Sequence, residues 1–453
     1  MLALLTERRF LALYLSQVAT QVGANALLYA LTIEITKRTD GSATAIGAML
    51  WAFLLPTVIT AIPAGVIIDR SDARRVLVAS NLWRAIFIGT LALLIGANGP
   101  LPLLYLLVIP IAVSTSLFAP AELAMIPRVV TPGKLVAANG LFTITLNASF
   151  AVGFAIVGPY VVGLSAGTPL LVGIVALLYL LATFACRRLP AAPPVAESAE
   201  QIGSVARAQL VEGWSLIRSS RPIRWSLGYL AATGTLIGGL AVLGPIFAIE
   251  VGLEPTAFGL IILPLGLGLV AVSSLLDRLI GLLGERRVVH GGLALLAVGI
   301  AGLGTIGTVT TLITRVGSLT PLAETIANSS LGLAIASLAA LAGAGYAAAA
   351  IPSQAALSRE VPIEARGRVF GVLNMVVSLA SIAPTVLLAP LADLAGPSPV
   401  ILGLAGGVVT LLLFSLYSRS GEIATATPTA TTPLIGLASG GVSVDPDGTS
   451  SRA

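Results

Sequence analysis

Twelve apolar runs, each about twenty residues long or more, follow one another along this chain with short polar breaks between them. They fall near residues 10–34, 43–67, 76–97, 101–125, 135–163, 168–187, 225–249, 257–279, 288–312, 331–352, 368–392 and 398–418. A run of that length, wound as an α-helix, matches the hydrocarbon thickness of a bilayer. No water satisfies peptide groups there, so only helices or closed barrels can cross. Continuous apolar runs do not fit the in-out alternation of barrel strands. The expectation is an all-α membrane protein with twelve transmembrane helices. Composition agrees: 56% of residues are hydrophobic and 10% charged, against about 25% charged in soluble domains.

The residue inventory narrows the function. One cysteine (Cys186) and one histidine (His290) leave no disulfide, no metal cage and no catalytic triad. No phosphate-binding G-x-x-x-x-G-K-[ST] motif occurs. The chain is therefore expected to be neither an enzyme nor a cofactor protein, and to carry no ATP engine. The opening segment, MLALLTERRF, places its apolar stretch before its charges. It reads as no cleavable signal, and the first span is expected to stay as an anchor.

Positive charge sets the orientation. With the N-terminus inside, inner segments hold 21 Lys and Arg residues and outer loops only Lys37, Arg38 and Arg315, while Arg84 lies within a span. Both termini are thus expected in the cytoplasm and the protein in the cell inner membrane. The net charge of +5 is a topology signal and gives no support to nucleic-acid binding.

The chain also echoes itself. Asp69-Arg70 followed by Arg74-Arg75 returns as Asp277-Arg278 followed by Arg286-Arg287, 208 residues on. Arg128 to Lys134 returns loosely as Arg359 to Arg366, 231 residues on, so the second half carries about 23 extra residues. The outer segment 308–330 is where they fit. The division that follows is an N-terminal six-helix half at 1–187, a cytoplasmic linker at 188–224, a C-terminal half at 225–418 and a disordered tail at 419–453. In such parallel repeats a substrate site lies at mid-membrane between the halves. In the linker, Leu210, Trp214 and Ile217 at helical spacing, with arginines nearby, fit an amphipathic helix on the anionic inner leaflet; a plain solvated connector is the alternative.

The densest charge in the chain is Gly65-Val-Ile-Ile-Asp69-Arg70-Ser-Asp72-Ala-Arg74-Arg75. Together with the six-plus-six repeat and the long inner linker, it resembles the major facilitator superfamily over residues 5–418. QVATQVGANALLYAL, FAPAELAMIPRVV, EGWSLIRSSRPIRW and REVPIEARGRVFGVLN resemble the bacterial branch that holds macrolide-efflux and enterobactin-exporter proteins. The family signature reads G-x-x-x-D-R-x-G-R-[RK]; Gly65, Asp69, Arg70 and Arg74 match, and Asp72 stands where many members have glycine. The resemblance implies a cytoplasmic gate of Gly65, Asp69, Arg70, Arg74 and Arg75, with Asp277 and Arg278 as its echo. Gly65 would allow close helix approach, and Asp69 would cap a facing helix. A plain positive-inside loop is the competing reading. Gly153 and Gly158-Pro159-Tyr-Val-Val-Gly163 partly resemble the antiporter signature G-x-x-x-G-P-x-x-G-G. The first glycine is one residue too distant and the last is missing.

Polar residues inside spans are functional suspects because hydrocarbon penalises them. Gln17, Gln21 and Asn25 share a face of span 1, Thr143 and Asn147 a face of span 5, and Asn374, Ser378 and Ser381 a face of span 11. These stripes line a substrate cavity or bond helix to helix. Glu122, near the inner end of span 4, and Arg84, two turns into span 3 and within snorkelling reach of the surface, are the coupling candidates. Glu34, Glu250 and Asp393, at outer helix ends, are expected in water. Family relatives often carry an acid near the position of Ala24, which this chain lacks, so proton antiport does not carry over directly. The expected function is alternating-access export of small amphipathic molecules such as drugs, macrolides or siderophore-like solutes. Protons and membrane lipids are the partners considered, and the unit is a monomer. The alternatives are a lipid or lysolipid translocator, a facilitator, or a non-transporting sensor or assembly partner.

Overall fold

The computed structural model describes residues 2–131, 134–191, 193, 214–215, 217–253, 259–316, 321–360 and 386–417. The tail, most of the linker and the span-11 stripe of Asn374, Ser378 and Ser381 lie outside the described residues. So do the surroundings of Gly65, whose backbone belongs to α2, and the side chains of Asp69, Thr143 and Asn147.

The first half runs α1 (Arg8–Arg38), α2 (Ala43–Asp69), α3 (Ala73–Gly96), α4 (Leu101–Val129), α5 (Leu135–Phe150) and α6 (Gly167–Arg187). Beyond Phe150, α5 continues through a π-helical segment, Ala151–Val157, and a short α-helical end, Gly158–Val162. The second half runs α7 (Arg221–Glu250), α8 (Gly259–Leu283), α9 (Glu285–Val316), α10 (Pro321–Glu360), α11 (Val386–Ala395) and α12 (Pro397–Tyr417). Ten of the described helices are long and apolar enough to cross a membrane, and shorter apolar helices stand at the places of the fifth and eleventh spans.

Local chemistry explains where the helices begin. Ser42 caps α2 by accepting from Ala45 N at 3.2 Å. Asp72 caps α3 by accepting from Arg74 N at 2.9 Å. That cap gives Asp72 a structural reason to replace the glycine of the family signature. Arg38 donates to Ile95 O in the last turn of α3 at 3.2 Å, to Gly99 O just beyond that helix at 2.5 Å, and to Glu34 at 2.6 Å. Glu34 is therefore ion-paired with Arg38, a correction to the solvated carboxylate expected from its place at a helix end.

Among the helix pairings of the first half are these five: α1 with α4, α1 with α6, α2 with α4, α3 with α4 and α3 with α6. The same five recur six helices later, as α7–α10, α7–α12, α8–α10, α9–α10 and α9–α12. The fold is thus two six-helix halves in parallel repeat. They meet where α8 packs on the π segment of α5 and where α7 touches α1 and α2. Small residues bring helices together. A Cβ at Gly268 would run into Ala340 O, and one at Gly343 into Leu265 O, so α8 and α10 pack backbone to backbone. Large apolar side chains such as Leu93 (77% exposed) and Leu394 (86%) cover the outside, as a hydrocarbon solvent requires. Of the segment 308–330, residues 308–316 end α9 and 321–330 begin α10; these helices have 32 and 40 residues, about 48 and 60 Å of helix.

Candidate functional site

The suspects from three different spans converge at one buried place in the first half. Gln17 on α1 is 3% exposed, Arg84 on α3 is 2% and Glu122 on α4 is 6%. With its amide turned to satisfy both groups, Gln17 Nε2 donates to Glu122 Oε1 at 2.6 Å and Oε2 at 2.7 Å. Arg84 lies within electrostatic reach of Glu122. Its Nη2 donates to Asn81 Oδ1 at 2.6 Å and its Nε to Ser80 O at 3.2 Å.

The guanidinium is held on both faces. Its Cζ sits 4.5 Å from the centre of the Phe118 ring and 4.6 Å from that of Tyr179. Planar, delocalised charge suits such a sandwich, where ring quadrupoles replace part of the lost hydration. Arg84 therefore does not snorkel to the surface as its position in span 3 suggested; the two rings offer a nearer refuge. Around it, Ser16 Oγ and Cys186 Sγ lie 3.1 Å apart, and Asn81 Nδ2 donates to both, at 3.4 and 3.5 Å. Tyr179 donates its hydroxyl proton to Thr20 O at 3.1 Å, beside Gly23. Four helices, α1, α3, α4 and α6, are tied by this one polar knot.

The rest of the span-1 stripe behaves differently. Asn25 Nδ2 donates to Gln21 O at 2.8 Å, back onto its own helix. Both residues are half-buried. At the end of the bundle where α2 gives way to α3, Arg70 and Arg75 are exposed, while Arg74 donates to Leu189 O at 3.3 Å and Arg128 to Pro193 O at 3.1 Å. These arginines hold the chain leaving α6. Asp277 and Arg278 are exposed. Of the amphipathic linker, positions 214–215 and 217–219 are helical, with Trp214 47% exposed and Ile217 3%.

Sequence reasoning missed Asn81, Phe118 and Tyr179. Asn81 precedes Arg84 by three residues and faces it on the same helix, which is a usable signal. The two rings come from other helices and give none. It also missed a second polar cluster, in the other half. His290 Nε2 on α9 lies 2.8 Å from Ser415 Oγ on α12, and that hydroxyl is also hydrogen-bonded to Tyr229 on α7. Ser415 and Tyr229 are fully buried.

The glycines of span 5 have a clear role. A Cβ at Gly153 would run into Val22 O, and one at Gly158 would come 2.6 Å from the Tyr29 ring. Both glycines therefore face α1, about one turn apart, although five residues separate them. The i→i+5 segment Ala151–Val157 absorbs the extra residue.

Two repeated six-helix halves, the first with a charged polar knot buried among its helices, make a polytopic membrane fold. The chain belongs to the Major Facilitator Superfamily, whose family model matches residues 13–383. No curated protein sequence matches it. Among solved structures it is similar to the nucleoside transporter NupG, with 13% identity and a TM-score of 0.69 over 90% of this chain and 98% of that one. It is also similar to the POT family transporter PepTSo, with 13% identity and a TM-score of 0.67 over 92% and 99%. A bacterial homologue of the iron transporter ferroportin in the inward-facing state has 16% identity and a TM-score of 0.65 over 90% and 98%. At these identities the likeness is one of fold.

Proposed function

We propose that this transporter is a proton-coupled exporter of amphipathic small molecules, working by alternating access in the cell inner membrane with both termini in the cytoplasm. One observation carries the coupling: the buried contact of Gln17 with Glu122, with Arg84 buried within electrostatic reach of the acid. A lone carboxylate in hydrocarbon is costly in its charged form. Here Arg84 supplies a compensating charge and Gln17 a hydrogen-bonding amide that serves either protonation state of the acid. Glu122 can then take up and release a proton without leaving its place. The acid that relatives often carry on span 1 is replaced by Gln17 on α1 reaching Glu122 on α4. Export rests on the resemblance to the macrolide-efflux branch, and the halves 1–187 and 225–418 are the bodies that move.

A second reading, lysolipid translocation, is favoured by an apolar cavity of about 560 Å³ between α7, α11 and α12, lined by residues such as Leu236, Leu391 and Leu404. Proteoliposome flux separates the two. Dye or macrolide efflux that follows a pH gradient, and loses that dependence in Glu122→Gln, is the expected result. Flux that ignores the gradient and the substitution, above all with lysolipid, would overturn the proton-coupled reading. The Gln side chain keeps the size of the site and one oxygen to accept from Gln17, so folded yield should stay close to that of the unmodified protein.

A further inference from the structure

At the outer end of the molecule a carboxylate crosses from one half to the other. Asp393, near the end of α11, accepts from Ala43 N at 2.6 Å through Oδ1, and from Thr44 N and Ser42 Oγ at 3.1 Å each through Oδ2. Ala43 and Thr44 are the first residues of α2, whose N–H groups have no partner within their own helix. The positive end of the α2 dipole points the same way. Asp393 is thus a cap supplied to α2 from the opposite half; it is exposed, as its place at a helix end suggested, and also bonded across the halves.

The cap is braced from behind. Glu250, ending α7, accepts from Ser398 N at 3.1 Å and Ser398 Oγ at 2.5 Å. This pins the start of α12, and Gly396, with φ +88°, makes the sharp turn between Asp393 and Ser398. Glu250 too is therefore bonded where water was expected. On the other side, the α1–α2 turn rests on α7: a Cβ at Gly41 would lie 3.2 Å from Ile249 Cδ1. The outer contact joins a braced corner of the second half to the start of a first-half helix.

We infer that Asp393 is the outer latch of the transport cycle, closed while the cavity is shut to the outside and released when the halves part there. This rests on the alternating-access reading above. Asp393 is exposed, so water can replace its three partners as the contact opens, which suits a clasp better than a permanent bond. α2 also ends in an acid, Asp69, which by family resemblance serves the inner gate. One helix would then be held at opposite ends in opposite states of the cycle.

The test is electron-spin distance measurement on the full-length protein in nanodiscs. The only native thiol, Cys186, is fully buried and stays unlabelled. An outer pair, Ser165→Cys with Pro399→Cys, reports the outer gap; an inner pair, Thr131→Cys with Leu282→Cys, reports the inner one. Asp393→Ala should raise the ratio of long to short outer distances about tenfold and shorten the inner ones. Asp393→Asn, which keeps the shape and loses the charge, should shift both in the same direction by less, and it serves if the alanine variant folds poorly. Outer distances unchanged in both variants would overturn the latch. No substrate is needed, so the two readings fail separately. A distance shift in a protein that moves no dye, macrolide or lysolipid keeps the latch and removes the export reading; gradient-driven efflux with unchanged distances does the reverse.

Discussion

In the first half, α1, α3, α4 and α6 meet around Arg84, Glu122 and Gln17. In the second, their repeat partners α7, α9 and α12 meet around Tyr229, His290 and Ser415. The pairings of the helices are the same, and the chemistry at their centre is not. One knot carries a guanidinium and a carboxylate with almost no exposure; the other joins two hydroxyls and an imidazole. A repeat therefore preserves how backbones pack while leaving the buried polar chemistry free to diverge. The charged knot is the costly one to keep in hydrocarbon, which is why coupling is assigned to the first half and adhesion to the second.

Arg84→Leu should break the comparison most severely. It removes the charge between Phe118 and Tyr179 and strands Glu122, at a cost of about 3–5 kcal/mol. Thermal unfolding in detergent should show a large fall in Tm, and the paired change Arg84→Leu with Glu122→Leu should recover much of it. Equal damage in single and double variants would mean that the ring sandwich matters and the charge pairing does not. Gly153→Val comes next, at about 1–3 kcal/mol, because its side chain has to displace the α1 backbone at Val22. The same assay measures it, and an unchanged Tm would show that α5 tolerates separation from α1. Ser415→Ala is the mildest, at about 1 kcal/mol, since neutral partners lose only hydrogen bonds. If Ser415→Ala proved as harmful as Arg84→Leu, the distinction between the knots would collapse.

Much of this was legible in the linear chain. Apolar runs marked the spans, and the returning Asp-Arg pair marked the repeat. Gln17, Arg84 and Glu122 could be named because a polar residue stands out within a hydrocarbon-length run. What was not legible came from distant partners. Phe118 and Tyr179 look like any other aromatic residue in a membrane helix until Arg84 lies between them. Asp393 looked like an acid for water because its partner, Ala43, lies 350 residues away. Asn25 is a third case: its spacing from Gln17 and Gln21 marked a shared face of span 1, and the bond of its amide to Gln21 O, on its own helix, was not visible in that spacing.

The π segment in α5 bears on how this chain is compared with others. A stretch of i→i+5 bonding is a single-residue insertion concealed inside a continuous helix. It leaves no loop, and nothing in the hydropathy profile betrays it. Gly153 and Gly158 miss the G-x-x-x-G spacing by one residue, yet both still meet α1. Any residue-by-residue alignment drawn straight through 151–157 will slip out of phase by one position on one side of it. Facing assignments in span 5 then have to be counted separately from each end, with Thr143 and Asn147 in one frame and Gly158 to Val162 in the other.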